Sequence, residues 1–164
     1  MREIKLTQGK VTLVDDVDFD YLTHWEWCAH RQYQRFYAVR REGVAEGRRG
    51  GGYLVKMHKV IAERARIVGV NIDHRDGDGL NNQRLNLRGA TKAQNGMNRS
   101  KNRNNTTGYK GVERAKTGFV ARIMANGKRM YCGIYRTPHE AARAYDKAAL
   151  ELHGEFAVLN FPKV

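Results

Sequence analysis

The stretch NIDHRDGDGLNNQRLNLRGATKAQN runs from Asn71 to Asn95 and governs the interpretation of the first half of the chain. VNIDH (70–74) and LRGAT (87–91) predict two short strands, and the residues between them are rich in Asp, Asn and Gly, which favour turns. Thr91 is followed three residues later by Gln94, a capping-box pattern that predicts the start of a helix. A strand, a loop (75–86), a second strand and a helix are therefore expected in this order.

This arrangement can bring Asp73 and Asn95 together around one divalent metal. A carboxylate and an amide oxygen are hard ligands of the kind that Mg²⁺ prefers, with water and substrate phosphate completing its shell. A neutral imidazole at His74 can take a proton from the attacking water, and the metal can stabilise the charge that develops in phosphodiester hydrolysis. Asn82 and Asn86 are expected to hold the loop through bonds from their side chains to the backbone. An Asp-His pair and an Asn-rich loop also occur by chance, so spacing alone leaves catalysis open.

The charge of the chain indicates a polyanionic partner. It has 164 residues, with 30 Lys and Arg against 17 Asp and Glu, a formal net charge of +13. Such an excess is typical of proteins that bind nucleic acid. No apolar run approaches the length of a membrane span, and the N-terminus lacks a secretory signal, so a cytoplasmic protein without membrane contact is expected. The two cysteines, Cys28 and Cys132, form no CxxC pair, and no zinc is expected.

Residues upstream of the quoted stretch predict a β-rich segment and one helix. VTLV, RFYAVRR and GYLVKM are strand-like, and MHKVIAERARI has helical periodicity. RRGGG (48–52) is a turn signal and is expected, with the N-terminal segment, to add contacts to the DNA backbone. His58 precedes the quoted stretch, and a core or helix-capping role is expected for it more than a catalytic one.

The segment after residue 107 predicts a sheet and a helix. YKGVERA, FVARIMA and RMYCGIY are strand candidates, and Asn126-Gly127 between the last two is a strong hairpin signal. Thr137 to Glu140 is a capping box with proline at the first helical position, and the helix is expected to end at Gly154. Alternation along the strands predicts two faces. The face towards the helix is expected to carry Phe119, Ala121, Ile123, Met130, Cys132 and Ile134. The open face is expected to carry Arg122, Met124, Arg129, Tyr131 and Tyr135.

Residues 107–162, including YKGV, AARAYDKAAL and the closing LNFP, resemble the APETALA/ethylene-response-factor type DNA-binding domain. The resemblance implies a three-stranded sheet that lies in the major groove with its helix behind. By motif it implies DNA contacts, for which we select Lys110, Lys116, Arg122, Lys128, Arg129 and Tyr131. Glu113 and Met124 stand where the plant proteins usually have arginine. The resemblance therefore does not imply that this chain binds the DNA sequence that the plant proteins recognise.

DHRDGDGLNNQRLNLRGATKAQN is similar to the HNH motif of phage and intron homing endonucleases. That resemblance implies Asp73 and Asn95 as metal ligands, His74 as the general base and Asn86, or Asn82, as the central asparagine. We assign Asn86 the catalytic position and Asn82 a loop-positioning role.

The sequence thus predicts an α+β protein with an HNH nuclease domain (1–98, ββα-metal motif about 70–98), a basic linker (99–107) and an ethylene-response-factor type domain (108–164). The predicted function is a site-directed HNH homing endonuclease that cuts double-stranded DNA with Mg²⁺, or Mn²⁺ as a substitute. A monomer would nick and a homodimer would make a double-strand break. The alternative is a DNA-binding regulatory protein with a non-catalytic HNH scaffold, and an RNA-directed nuclease is a third hypothesis.

Overall fold

The computed structural model describes residues 1–43, 52–99, 101 and 104–162, and their fold is α+β. The chain divides into two compact units, Met1–Ala90 and Thr91–Val164. This division falls before residue 98, where we placed the end of the nuclease domain, and the domain limits themselves stay a prediction. Most of RRGGG lies outside the described residues.

In the part of the first unit that the structure describes, residues 1–43 and 52–90, there are three antiparallel sheets and two α-helices. The strands β1 and β2 form a ribbon, β3, β4 and β5 form a three-stranded sheet in that order, and β6 and β7 form a hairpin. In chain order the elements are β1 (Arg2–Lys5), β2 (Val11–Val14), α1 (Asp16–Leu22), β3 (Cys28–Gln32), β4 (Arg35–Glu42), β5 (Tyr53–Lys56), α2 (Met57–Arg64), β6 (Asn71–His74) and β7 (Leu87–Ala90).

Apolar side chains from the ribbon, both helices and the sheets share one core. Its buried members are Ile4, Leu6, Val14, Leu22, Trp27, Ala29, Ala38, Met57, Ile61 and Leu87. Trp27 also donates its indole N–H to the carbonyl oxygen of Leu22 at 2.8 Å, which satisfies the polar end of the ring inside the core. The core therefore ties the N-terminal ribbon to the hairpin that carries the candidate site.

The second unit begins with α3 (Lys92–Met97) and continues with a three-stranded antiparallel sheet and a long helix. Thr91 and Gln94 form the predicted capping box at the start of α3. The sheet has the order β10 (Lys128–Tyr135), β9 (Gly118–Ala125), β8 (Val112–Ala115). The order strand, strand, helix expected for residues 70–98 is thus present, but its arrangement as a ββα-metal motif stays a prediction because α3 belongs to the second unit.

The helix α4 (Pro138–His153) packs on one face of that sheet, as predicted. Thr137 and Glu140 form its capping box, and Gly154 ends it with φ of +54°. The shared core is alanine-rich, which lets the helix lie close to the strands. Its buried members are Val112, Ala121, Ile123, Ala141, Ala142, Tyr145 and Ala149.

The predicted faces of β10 need correction at two places. Met130, expected in the core towards the helix, lies opposite buried Ile123 but is itself exposed. The second place is the end of the strand. The pairing with β9 is regular up to Tyr131, then slips so that Gly133 lies opposite Ala121, which leaves Cys132 as an extra residue in a bulge. A bulge shifts the alternation by one position. Tyr135 consequently packs against the helix-side core, whereas Ile134 is exposed, the reverse of the expectation.

Within the described residues, none of the helices is both long and apolar enough to cross a membrane.

Candidate active site

The β6–β7 hairpin places Asp73 and His74 next to each other at the buried end of β6. Asp73 lies opposite Arg88, and His74 lies opposite Leu87. Only 3% of Asp73 and 4% of His74 is exposed. Two adjacent polar residues are therefore held inside the first unit, where their hydrogen-bond partners determine what they can do.

The loop between the strands is braced by its own Asp and Asn side chains. Asp76 accepts hydrogen bonds from the backbone N–H of Asp78 at 2.8 Å and from the side-chain amides of Asn81 at 2.7 Å and Asn86 at 3.0 Å. Asn86 also donates to the carbonyl oxygen of Asn81 at 2.8 Å and accepts from the N–H of Asp76 at 3.1 Å. The repeated Asp, Gly and Asn residues of the quoted stretch thus form a cross-linked turn.

The loop is attached to the N-terminal ribbon by backbone hydrogen bonds on both sides of Leu13. The N–H of Leu13 donates to the carbonyl oxygen of Leu80 at 2.9 Å, and the N–H of Asn82 donates to the carbonyl oxygen of Leu13 at 2.8 Å. β2 therefore fixes the part of the loop that faces His74.

Asn82 is the asparagine whose side chain meets the imidazole: Nε2 of His74 lies 3.1 Å from its Oδ1. The loop turns Asn82 inward, where 1% of it is exposed. Asn86, which the sequence places in the catalytic position with Asn82 as the alternative, bonds Asp76 and Asn81 through its side chain. The catalytic and loop-positioning roles of the two asparagines stay predictions.

His74 is part of a cluster of three rings, of which the two histidines are buried and Tyr37 is half-buried. The His58 ring lies edge-on to it with 5.0 Å between centroids, and the Tyr37 ring lies 6.0 Å from it. Burial lowers the pKa of His74 below its usual range, although its hydrogen bond to Asn82 and the charges of nearby aspartates oppose this effect. A lowered pKa keeps the imidazole neutral at pH 7, the form that a general base requires.

His58 itself is a neutral side chain at the start of α2. Burial, followed by the nearby charges of His74, Lys56 and Lys59, lowers the pKa of His58 to about 3. Its side chain lies in the interior, with 5% of the residue exposed, and its core or helix-capping role stays a prediction. The sequence showed no role for Tyr37, which completes the cluster from β4.

Asp73 is paired with a buried arginine. Nε and Nη2 of Arg88 both donate to Oδ2 of Asp73, at 3.1 and 2.9 Å. A carboxylate offers about four lone-pair positions on two oxygens, so a cation on the same group is chemically compatible with this pair. Asn95, the second predicted ligand, lies exposed on α3 in the second unit. A carboxylate with an amide oxygen is a donor set that suits Mg²⁺ or Mn²⁺.

The open face of the second unit's sheet carries three of the six predicted DNA-binding residues, Arg122, Arg129 and Tyr131. Arg129 lies opposite Met124, and Tyr131 lies opposite Arg122, so these four share one face as expected. Lys116 and Lys128 are exposed close to the turns at the ends of β9.

Two charged residues of this unit have hydrogen-bond or ion-pair partners that the sequence did not indicate. Lys110 is half-buried, and its ammonium group donates to the carbonyl oxygen of Met97 at 2.7 Å, so it fastens the end of α3. Glu113 accepts from Arg122 at 2.9 Å and also pairs with Arg129. A carboxylate thus lies between two of the arginines predicted to contact DNA.

A groove of about 880 Å³ follows this face and has α3 along one side. Basic side chains dominate its charged lining. They are Lys92, Arg99, Lys101, Lys110, Arg114, Arg122 and Arg129, with Glu113 among them. The second unit can therefore offer one continuous basic surface from its sheet to the helix that carries Asn95.

Comparison with known proteins gives two kinds of relative. The chain is 37% identical over 92 residues to an uncharacterized HNH endonuclease, L560, of Acanthamoeba polyphaga mimivirus, covering 56% of this chain and 47% of that protein. It is 48% identical over 59 residues to the ethylene-responsive transcription factor ERF010 of Arabidopsis thaliana, covering 34% of this chain and 32% of that protein. It is 36% identical over 85 residues to the ethylene-responsive transcription factor ERN1 of Medicago truncatula, covering 50% and 32%.

The chain spans about a third to a half of the length of these relatives. No protein-family model matches it. Both resemblances inferred from the sequence are confirmed: the chain combines similarity to an HNH endonuclease with similarity to ethylene-response-factor type transcription factors.

Proposed function

We propose that this protein is a site-directed DNA endonuclease of the HNH homing type, which hydrolyses phosphodiester bonds of double-stranded DNA with a divalent metal. The observation that carries the proposal is the pairing of His74 with Asn82, one residue from the carboxylate of Asp73. In this pair the imidazole of His74 is neutral and has a defined hydrogen-bond partner, and the neighbouring carboxylate of Asp73 can hold a cation.

In this mechanism His74 takes the proton of the attacking water, and Asn82 holds the ring while it does so. Asp73 and Asn95 would hold the metal, with the side chain of Asp73 held in its buried position by the ion pair with Arg88. When bound, a divalent cation supplies charge stabilisation at the phosphoryl group and at the departing 3′ oxygen.

The second unit would deliver the substrate. Its sheet face carries Arg122, Arg129 and Tyr131, whose side chains suit phosphate and base-edge contacts, and its groove runs past α3. DNA held on this face would pass the helix that carries Asn95. This supports site-directed rather than indiscriminate cleavage.

The buried ion pair favours a second candidate, the DNA-binding regulatory protein with a non-catalytic HNH scaffold. In that case the two bonds from Arg88 to Asp73 would replace a metal altogether. The two candidates share the DNA-binding unit and differ in whether cleavage occurs.

The test is to incubate phage and host DNA with the protein and Mg²⁺ and to map the ends on each strand. We expect defined ends that disappear when EDTA is added. His74→Ala should abolish cleavage and leave DNA affinity within a few-fold, whereas His30→Ala, an exposed histidine of β3, should cut normally. Binding without cleavage by the natural protein would establish the scaffold candidate, and retained cutting by His74→Ala would remove His74 from the base role.

A further inference from the structure

We propose that Thr12, far outside the nuclease-like stretch, is a positioning residue that sets the tautomer of His74 through the side chain of Asn82. The effect of Thr12 on catalysis rests on the proposed function, because it requires His74 to be the general base. Its structural basis is a chain of hydrogen bonds inside the first unit, which runs from Leu80 through Thr12 and Asn82 to the imidazole.

Thr12 lies in β2, and its side chain is fully buried beside the loop. Its hydroxyl oxygen is 2.7 Å from the carbonyl oxygen of Leu80 and 2.7 Å from Nδ2 of Asn82, a residue 70 positions away in sequence. The backbone bonds of Leu13 to Leu80 and Asn82 hold both partners in place. The hydroxyl group therefore lies between the carbonyl of Leu80 and the amide of Asn82, and the backbone bonds to Leu13 hold both partners against β2.

The direction of each bond follows from the carbonyl group. A carbonyl oxygen only accepts, so the single hydroxyl proton of Thr12 points to Leu80. The hydroxyl oxygen must then accept from its other neighbour, which places the NH₂ group of Asn82 towards Thr12. The other contact of the hydroxyl, to the sulfur of Met57 at 3.9 Å, is too long and too weak an acceptor to compete.

The amide orientation then determines the tautomer of the ring. With its NH₂ group towards Thr12, Asn82 presents Oδ1 to Nε2 of His74, and this oxygen can only accept. Nε2 must carry the hydrogen, and the neutral ring has its lone pair on Nδ1.

The reversed arrangement is unfavourable. If the amide turned over, Thr12 would have to give its proton to Asn82, and two acceptor oxygens would face each other 2.7 Å apart at Leu80. One of three hydrogen bonds in a buried site would be lost, where an unsatisfied group is costly. Thr12 consequently selects the nitrogen of His74 that is able to accept the proton of water.

The experiment uses the full-length protein with nitrogen-15 in its histidine rings. Long-range nitrogen–proton spectra report which ring nitrogen is protonated, without any need for DNA or metal. We expect His74 in the natural protein to be the Nε2–H tautomer. Finding the Nδ1–H tautomer there would overturn the proposal before any variant is made.

Thr12→Val removes the hydroxyl, and Thr12→Ser restores it in a smaller side chain. We expect Thr12→Val to show a mixture of tautomers and a cleavage rate at saturating DNA about 10- to 100-fold lower, with DNA affinity unchanged. Thr12→Ser should keep the Nε2–H tautomer and most of the rate. A folded Thr12→Val protein that keeps the Nε2–H tautomer would contradict the proposal, and fluorescence of buried Trp27 shows whether the first unit is folded.

This design separates the two hypotheses. If the tautomer depends on Thr12 while the natural protein does not cleave DNA, the proposed function fails and the role of Thr12 in setting the ring stands. If His74→Ala abolishes cleavage while Thr12→Val changes neither tautomer nor rate, the proposed function stands and the inference about Thr12 fails.

Discussion

Arg88 bonds the carboxylate of Asp73 through two nitrogens, Nε and Nη2, at 3.1 and 2.9 Å from the same oxygen. The two residues lie opposite each other in the β6–β7 ladder, and 5% of Arg88 and 3% of Asp73 is exposed. A buried ion pair of this kind holds the two side chains against each other inside the first unit. It also means that neither side chain can be removed without leaving an uncompensated charge inside the first unit.

We therefore expect Arg88→Leu to lower the free energy of unfolding of the first unit by about 3–5 kcal/mol at pH 7. The physical cause is the carboxylate of Asp73, which stays buried without its cation. Urea unfolding followed by tryptophan fluorescence measures this, because both tryptophans of the chain, Trp25 and Trp27, belong to the first unit.

The double variant Asp73→Asn, Arg88→Leu is the matched control. It removes both charges, so its loss of stability should be clearly smaller than that of Arg88→Leu alone. Arg129→Leu, on the second unit, should leave the tryptophan-detected midpoint unchanged. Equal losses in the single and double variants would show that Arg88 acts through packing and not through the charge of Asp73.

A second prediction concerns the stability of the first unit in acid. Burial lowers the pKa of His58 to about 3, whereas an unfolded histidine titrates near 6.5. Between these values the unfolded state binds more protons than the folded state, so stability falls as pH decreases from 6.5 towards 3. For His58 alone the expected loss between pH 8 and pH 5 is about 2 kcal/mol.

His58→Gln should flatten this pH dependence, whatever it does to stability at pH 8. The lowered pKa of His74 acts in the same direction, so a smaller decline should persist in the variant. Urea midpoints at pH 8 and pH 5, compared between the two proteins, provide the measurement. An equally steep decline in His58→Gln would mean that His58 is not buried in its neutral form.

Local signals in the sequence predicted most of the elements of this fold. The capping boxes at Thr91 and Thr137 and the Asn126-Gly127 turn are all present, because each depends on residues within a few positions of one another. The strands β1 and β3 and the helix α1 were not predicted.

Local sequence signals do not predict contacts between residues that are far apart in the chain. The bond between Thr12 and Asn82 joins residues 70 positions apart, and no short pattern points to it. The bulge at Cys132 exchanged the faces of Ile134 and Tyr135, since one inserted residue reverses every later side chain. Chemistry-bearing residues could be listed from the sequence, but which asparagine meets His74 depends on the path of the loop.

The second unit offers a matched pair of glycines for a third prediction. Gly111 and Gly127 have φ of +74° and +73°, so alanine is strained at both. A methyl group at Gly111 would overlap the ring of Tyr145, and it would lie 2.7 Å from the carbonyl oxygen of Arg122. At Gly127 nothing lies within 4 Å of the added carbon.

Gly127→Ala should therefore cost about 1 kcal/mol, the backbone strain alone. Gly111→Ala should cost several times more, because Tyr145 is a core residue of this unit and cannot move away freely. Thermal unfolding followed by the circular dichroism signal of α4 compares them. Similar midpoints for the two variants would contradict the close packing of Gly111 on Tyr145.

The fourth prediction concerns Glu113 and rests on DNA binding by the sheet face. Glu113 pairs with Arg122 and Arg129. These two guanidinium groups are therefore less available to DNA phosphates, and the carboxylate itself repels the phosphates. These side chains are all substantially exposed, and the pairs themselves contribute little to stability. Glu113→Gln should accordingly leave the fold intact and raise affinity for duplex DNA of arbitrary sequence, by about 3- to 10-fold at 50 mM salt.

Glu151→Gln is the matched control, because it removes one exposed negative charge from α4, whose buried face packs on the other side of the sheet. Fluorescence anisotropy with labelled duplexes at 50 and 200 mM salt measures both effects.

If the unit makes about 6 phosphate contacts, the affinity of the natural protein should fall about 10³-fold over this range. The advantage of Glu113→Gln should shrink as salt screens the charge. An equal gain in Glu151→Gln would indicate net charge alone, and nearly salt-independent binding would exclude the basic face as the DNA-contacting surface.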